Sequence, residues 1–97
     1  MTRAIAVQPY IIIERAITNQ RQQITVHQHE LYLFESKIVS RHREYSLYNV
    51  YDLSYKIISG DEGFLYLHTN QGVHSYMVKT DPSMFIEEFK LLRSLQS

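Results

Sequence analysis

Cysteine is absent from the 97 residues, which removes disulfides, thiolate metal sites and a cysteine nucleophile together. A reducing compartment fits that composition, and a cytoplasmic location is expected. Glycine and proline are scarce, three and two, so few positions suit irregular backbone and a loop-dominated fold is disfavoured. Net charge is missing as well. Ten basic and ten acidic side chains cancel, so the whole-molecule field draws in neither nucleic acid nor anionic membrane, and any charged partner must be met by a local patch. No nucleic-acid partner is expected. Long apolar runs are also lacking. Tyr10-Ile11-Ile12-Ile13 falls far short of the roughly 20 residues that a spanning helix needs. Ala4-Ile5-Ala6-Val7, after Arg3, is interrupted by Gln8-Pro9 before a secretory signal would be complete.

What is present is enough apolar material for one core. Hydrophobic residues make up 44% and charged residues 21%, close to the globular average, and the length suits a single domain over 1–97. From Tyr10 to Lys79 the chain is rich in Ile, Val, Tyr, Phe and Thr, whose branched and ring side chains pack on a pleated surface. Seven strands are read there. Tyr10–Ile17 is the first, followed by a polar turn at Asn19-Gln20-Arg21-Gln22. Gln23–Gln28 alternates with period two, His29-Glu30 is expected to bend or break it, and Leu31–Phe34 forms a third strand. Ile38 to about Tyr45 is the fourth. Leu47, Val50 and Leu53 are spaced by three, a helical interval, but Tyr48, Tyr51, Tyr55, Ile57 and Ile58 fill the stretch with strand formers, so it is read as strand. Ser59-Gly60-Asp61-Glu62-Gly63 and Asn70-Gln71-Gly72 are turns around the strand Phe64–Thr69, and Val73–Lys79 closes a hairpin.

The final element, about 82–95, is read as a helix. Asp81 supplies a capping carboxylate, Pro82 suits the first helical position, and Glu87 and Glu88 precede Lys90 and Arg93 along the macrodipole. Phe85, Phe89 and Leu92, with Ile86 and Leu95, form one apolar stripe that must be buried against the sheet.

Glu30-Leu31-Tyr32-Leu33, Tyr45-Ser46-Leu47-Tyr48-Asn49-Val50, Phe64-Leu65-Tyr66-Leu67-His68-Thr69 and Asp81-Pro82-Ser83-Met84-Phe85-Ile86-Glu87-Glu88-Phe89 follow one another in a layout of seven strands and a closing helix. This resembles the pleckstrin-homology-like fold, in particular its small standalone bacterial versions. The resemblance implies a mainly β (α+β) chain: an open antiparallel barrel of two sheets, with the C-terminal amphipathic helix plugging one end through Phe85, Phe89 and Leu92. Lipid-binding members place a basic cluster on the first two strands and their loop. Here Arg15 and Arg21 occupy that region among Gln20, Gln22 and Gln23, a departure from the pattern, and fold alone does not carry function.

Four sets of residues are candidates for a site. Arg41 and Arg43, flanking His42, share one face if they lie on a strand and would hold a phosphate or carboxylate; a solvated edge is the plainer account. Together with Arg15 and Arg21 they make up the candidate anion-binding set. His27 and His29 share a face too, with His42, His68 and His74 elsewhere, but no ligand-like acidic spacing accompanies them and no metal or other cofactor is expected. Tyr45, Tyr48, Tyr51 and Tyr55 form the candidate interaction surface, since a phenol buries its ring while its hydroxyl stays wet. Ser40 with His42 and Ser75 with His74 are the only pairs suggestive of nucleophilic catalysis. No oxyanion hole or phosphate loop is visible beside them, and no enzyme activity is expected. The functional expectation is a non-enzymatic interaction module, binding a protein segment or itself through an aromatic sheet face or strand edge. The alternative is a peripheral binder of anionic lipid headgroups or other small anions through the arginines.

Overall fold

The computed structural model describes residues 3–95, in the order β1 (Ala6–Thr18), β2 (Arg21–Leu33), β3 (Lys37–Val39), β4 (Glu44–Ser46), a 3-10 turn (Leu47–Asn49), β5 (Val50–Ser59), β6 (Glu62–Thr69), β7 (Gly72–Val78) and α1 (Ser83–Leu95). Every strand pairing is antiparallel, and the spatial order is β4-β3-β2-β1-β7-β6-β5. The mainly β architecture with one C-terminal helix is thus as expected. The two expected sheets are, however, joined into one, through a single register pair between β1 and β7, Ile11 opposite Met77.

Three local readings differ. The polar pair His29-Glu30 does not interrupt β2, because β1 is equally long and pairs with it at all thirteen positions; a continuous ladder overrides weak local preference. The fourth expected strand is split at Ser40–Arg43. Ser40 N–H donates to the Arg43 carbonyl at 2.8 Å, and Arg43 N–H donates to the Ser40 hydroxyl at 3.1 Å. That local closure competes with strand pairing. The interval of three from Leu47 to Val50 marks a real turn of 3-10 helix, with Val50 N–H bonded to the Leu47 carbonyl.

Inward-facing Leu31, Leu33, Ile38, Val50, Leu53, Leu65, Leu67 and Val78 make the core with Tyr10, Tyr45 and Leu47, and Phe85 and Phe89 of α1 close it. Asp81 Oδ1 accepts the Ser83 backbone N–H at 2.9 Å, which anchors the start of α1. The hydrogen bonds from Ser83 hold the Asp81 carboxyl below its ordinary 3.8. Ile86 and Leu92 pack partly on the core, but Leu95, expected on the same stripe, is 80% exposed as the last residue of the helix. The helix otherwise covers the core as the apolar spacing requires, and Arg93 Nη1 reaches the Leu47 carbonyl at 3.4 Å.

The molecule measures 54 × 29 × 27 Å with a radius of gyration of 14.9 Å, against about 12.5 Å for a compact chain of this length. The excess is an arm. Beyond Ile11, β1 and β2 continue as a two-stranded hairpin; seven residues at about 3.3 Å each project roughly 23 Å, which accounts for the long axis. Asn19 and Gln20 turn its tip with φ of 50° and 63°, a pair of left-handed residues that matches strand twist in a two-residue hairpin. Among the described residues no helix is long and apolar enough to cross a membrane.

Candidate functional site

The seam between β1 and β7 positions the site. β1 holds to β2 along its whole length and twists with it, whereas β7 holds to β6 from Gly72 to Val78. Each ribbon accumulates its own right-handed twist, so two ribbons touching at one point diverge on either side of it. As a result Ile12–Thr18 have a ladder partner on the β2 side only, and Gly72–Tyr76 on the β6 side only. Two strand edges with unclaimed main-chain donors and acceptors face one cleft.

A solvent-open cavity of about 400 Å³ occupies that cleft, walled by Tyr10, Ile12, Tyr45, His74, Tyr76 and Met77, with Ser40, His42 and Arg43 of the β3–β4 loop closing one side. The size lies within the range of ligand sites. Alternation explains the wall: Tyr10 and Tyr76 face inward from β1 and β7, and Tyr45 is the one inward residue of β4, opposite buried Ile38. Tyr10 and Tyr76 meet edge to face with centroids 4.9 Å apart, and Tyr45 lies 5.2 Å from the His74 ring. Edge-to-face packing of this kind fixes ring positions.

The hydroxyls are organised. Tyr45 and Tyr76 share a hydrogen bond of 2.6 Å, so whichever donates, the other's proton remains available to a ligand. Tyr10 accepts the Arg41 backbone N–H at 3.1 Å, tying the β3–β4 loop to β1. Burial, then the hydrogen bond and proximity of Tyr76, push the Tyr45 hydroxyl well above its ordinary 10, while the Arg43 guanidinium opposes the shift. The Tyr45 phenol therefore stays a neutral donor near pH 7.

Among the described residues no carboxylate lines the cavity. Arg43 makes no ion pair among the described residues; its neighbour Glu44 is held instead by Lys37 at 2.8 Å. A second, smaller hollow of about 280 Å³ contains Arg41 and His29 but also Glu30, so its charge is mixed. Burial of the His29 ring, then the Arg41 guanidinium and the His27 and His42 rings, hold His29 below its ordinary 6.5.

The sequence-nominated residues are dispersed. Arg15 pairs across from Ile24, and Arg21 from Thr18; by alternation they lie on opposite faces of the arm. Arg41 and Arg43 sit together in the β3–β4 loop, at the base of the arm, and only Arg43 lines the large cavity. Of the tyrosines, Tyr45 faces inward at 8% exposure and Tyr48 outward at 83%. Tyr51 is exposed at the irregularity that begins β5, between Val50 and Asp52, and the half-buried Tyr55 donates to the Asp61 carbonyl at 2.7 Å. His27 and His29 do share a face, rings stacked 6.3 Å apart, but His27 is engaged with Glu14 at 2.9 Å. Among the described residues no three of His, Cys, Asp and Glu are grouped to hold a metal ion. The conjunction of Tyr10, Tyr76 and His74 was not foreseen, because only long-range strand order brings positions 10, 45 and 76 together.

No protein-family model, curated protein or solved structure matches the chain.

Proposed function

We propose that the chain is a non-enzymatic interaction module of pleckstrin-homology-like architecture that accepts an extended protein segment as an added strand in the β1–β7 cleft. The observation that carries this reading is the seam itself. One register pair leaves two edges unpaired beside a cavity, and an edge of that kind is the usual template for strand addition. Main-chain pairing would supply affinity, and the aromatic wall would supply selection among side chains. A second copy of the chain is another occupant compatible with this reading, since the outer arm face presents the cross-strand pair Ile13 and Val26 with exposed Ile24 and Ile17. The anionic-headgroup alternative draws less support, because it needs positive charge gathered in one place and Arg15 and Arg21 point to opposite arm faces.

Peptides selected from a displayed random library against the purified chain test the reading. A selected peptide is expected to move backbone amide resonances at Ile12–Glu14 and Val73–Tyr76. Its backbone N-methylated counterpart, unable to donate to the sheet, is expected to bind at least tenfold more weakly. Equal binding by both forms would rule out strand addition.

A further inference from the structure

The cleft carries a chemical preference as well as a free edge. Its wall holds one permanent positive charge, the Arg43 guanidinium, with no carboxylate along the lining and no ion pair to Arg43 among the described residues. Facing that charge is the Tyr45–Tyr76 hydroxyl pair, which keeps one proton to donate. Ser75 and the rings of His42 and His74 also line the cavity. Beside them are Ile11, Ile12, Val73 and Met77, which suit apolar neighbours on a strand but offer nothing to an anion. Charge and hydroxyl thus meet apolar side chains in one cleft.

We propose that the cavity receives the carboxylate of an acidic side chain carried by the extended segment of a protein partner, held by the Arg43 guanidinium and the free proton of the Tyr45–Tyr76 pair. This rests on the strand-addition reading and specifies what it selects. A planar guanidinium offers two parallel donors that match the two oxygens of a carboxylate. One permanent cation balances one carboxylate, whereas a phosphoryl dianion would be left with charge uncompensated in a partly apolar site. The opposite arm faces of Arg15 and Arg21 matter here too. At about 3.3 Å per residue, Arg15 is roughly 13 Å along the arm from the seam at Ile11, so it does not add a second charge to the cavity.

The test uses four probes on the intact chain, followed by amide shifts and by calorimetry. Three are capped hexapeptides of alternating valine and threonine in which one central residue is glutamate, glutamine or phosphoserine; the fourth is sodium propionate, a carboxylate without a strand. The glutamate peptide is expected to move Tyr10–Ile12, Ser40–Arg43 and His74–Met77, and to bind about tenfold more tightly than the glutamine peptide. In R43Q, an exposed substitution whose fold is verified by its unperturbed core resonances, the two should bind equally and at the glutamine level. Equal binding of glutamate and glutamine peptides to the native chain would overturn the carboxylate proposal and leave strand addition standing. Tighter binding of the phosphoserine peptide would overturn the choice of carboxylate. Propionate shifting the cavity amides while no peptide does would retain the anion site and remove the strand. Silence from all four would remove both.

Discussion

The two ends of the β1–β2 hairpin differ in what holds them. At the base, Gln8 and Tyr10 of β1 and Leu31 and Leu33 of β2 are buried, and even the buried amide of Gln8 is matched, donating to the Thr80 hydroxyl at 3.0 Å. Past Ile11 the same ribbon continues with full pairing but no layer on either face: Ile17 is 82% and Ile24 60% exposed. An isolated two-stranded ribbon is marginal in water. Backbone pairing alone therefore does not make a stable element. The core stabilises the base by apolar burial, while the arm persists as an extension of it and keeps one edge open.

That contrast can be broken most forcefully at the core. Replacing Phe89 by Ala removes a ring from the sealed end and is expected to cost about 3–5 kcal/mol, much of a typical stability margin; urea denaturation would measure it. A loss below about 1 kcal/mol would mean that α1 is peripheral. Next comes Gly63→Ala, because a Cβ there would overlap the Lys56 carbonyl oxygen and lie 2.8 Å from Tyr55 Cε1. The backbone of β5 must shift, with an expected cost of about 2–3 kcal/mol in the same assay. Tyr45→Phe breaks the hydroxyl pair and strands Tyr76, for about 1 kcal/mol, and the double change with Tyr76→Phe should cost less than the sum of the two single changes.

A smaller effect concerns pH. The Asp81 carboxyl has a folded pKa below 3.8, so the unfolded chain binds the proton more readily. Its contribution is complete above that value and is lost as pH falls through the folded pKa. Asp81→Asn, which retains a capping side chain, should flatten this part of the stability profile below pH 3.8, as followed by thermal melts. The smallest effect belongs to the arm. Joining Glu14 to Thr25, which are register partners, through Asn-Gly in place of residues 15–24 should change stability by less than about 0.5 kcal/mol while the radius of gyration falls toward about 12–13 Å in small-angle scattering. A large loss of stability would show that the arm supports the core.

Much of the fold could be read locally because its cause is local. Phe85 and Phe89 at helical spacing, with Asp81 and Pro82 ahead of them, specify a capped amphipathic helix whatever it packs on. Alternation in Phe64–Thr69 likewise specifies a half-buried strand. Boundaries failed where the deciding partner was remote or small: His29-Glu30 stays in β2 because β1 runs opposite it, and Ser40 ends β3 through hydrogen bonds with Arg43 that no periodicity reports. The candidate site was the least legible part. Arg43 and Tyr45 were singled out for separate roles, on a basic point and an aromatic surface, and the sequence gives no hint that strand order sets them on one wall with Tyr10 and Tyr76. A seam of one register pair is a property of diverging twists and leaves no mark in composition.

Residue-resolved hydrogen exchange on the free chain tests the open seam directly. Along Ile12–Thr18 successive amides point alternately to β2 and to the cleft, so every second amide is expected to exchange at nearly the unprotected rate while those between are slowed. Protection of both sets would mean that β7 or another segment already fills the edge, and that the cleft is closed.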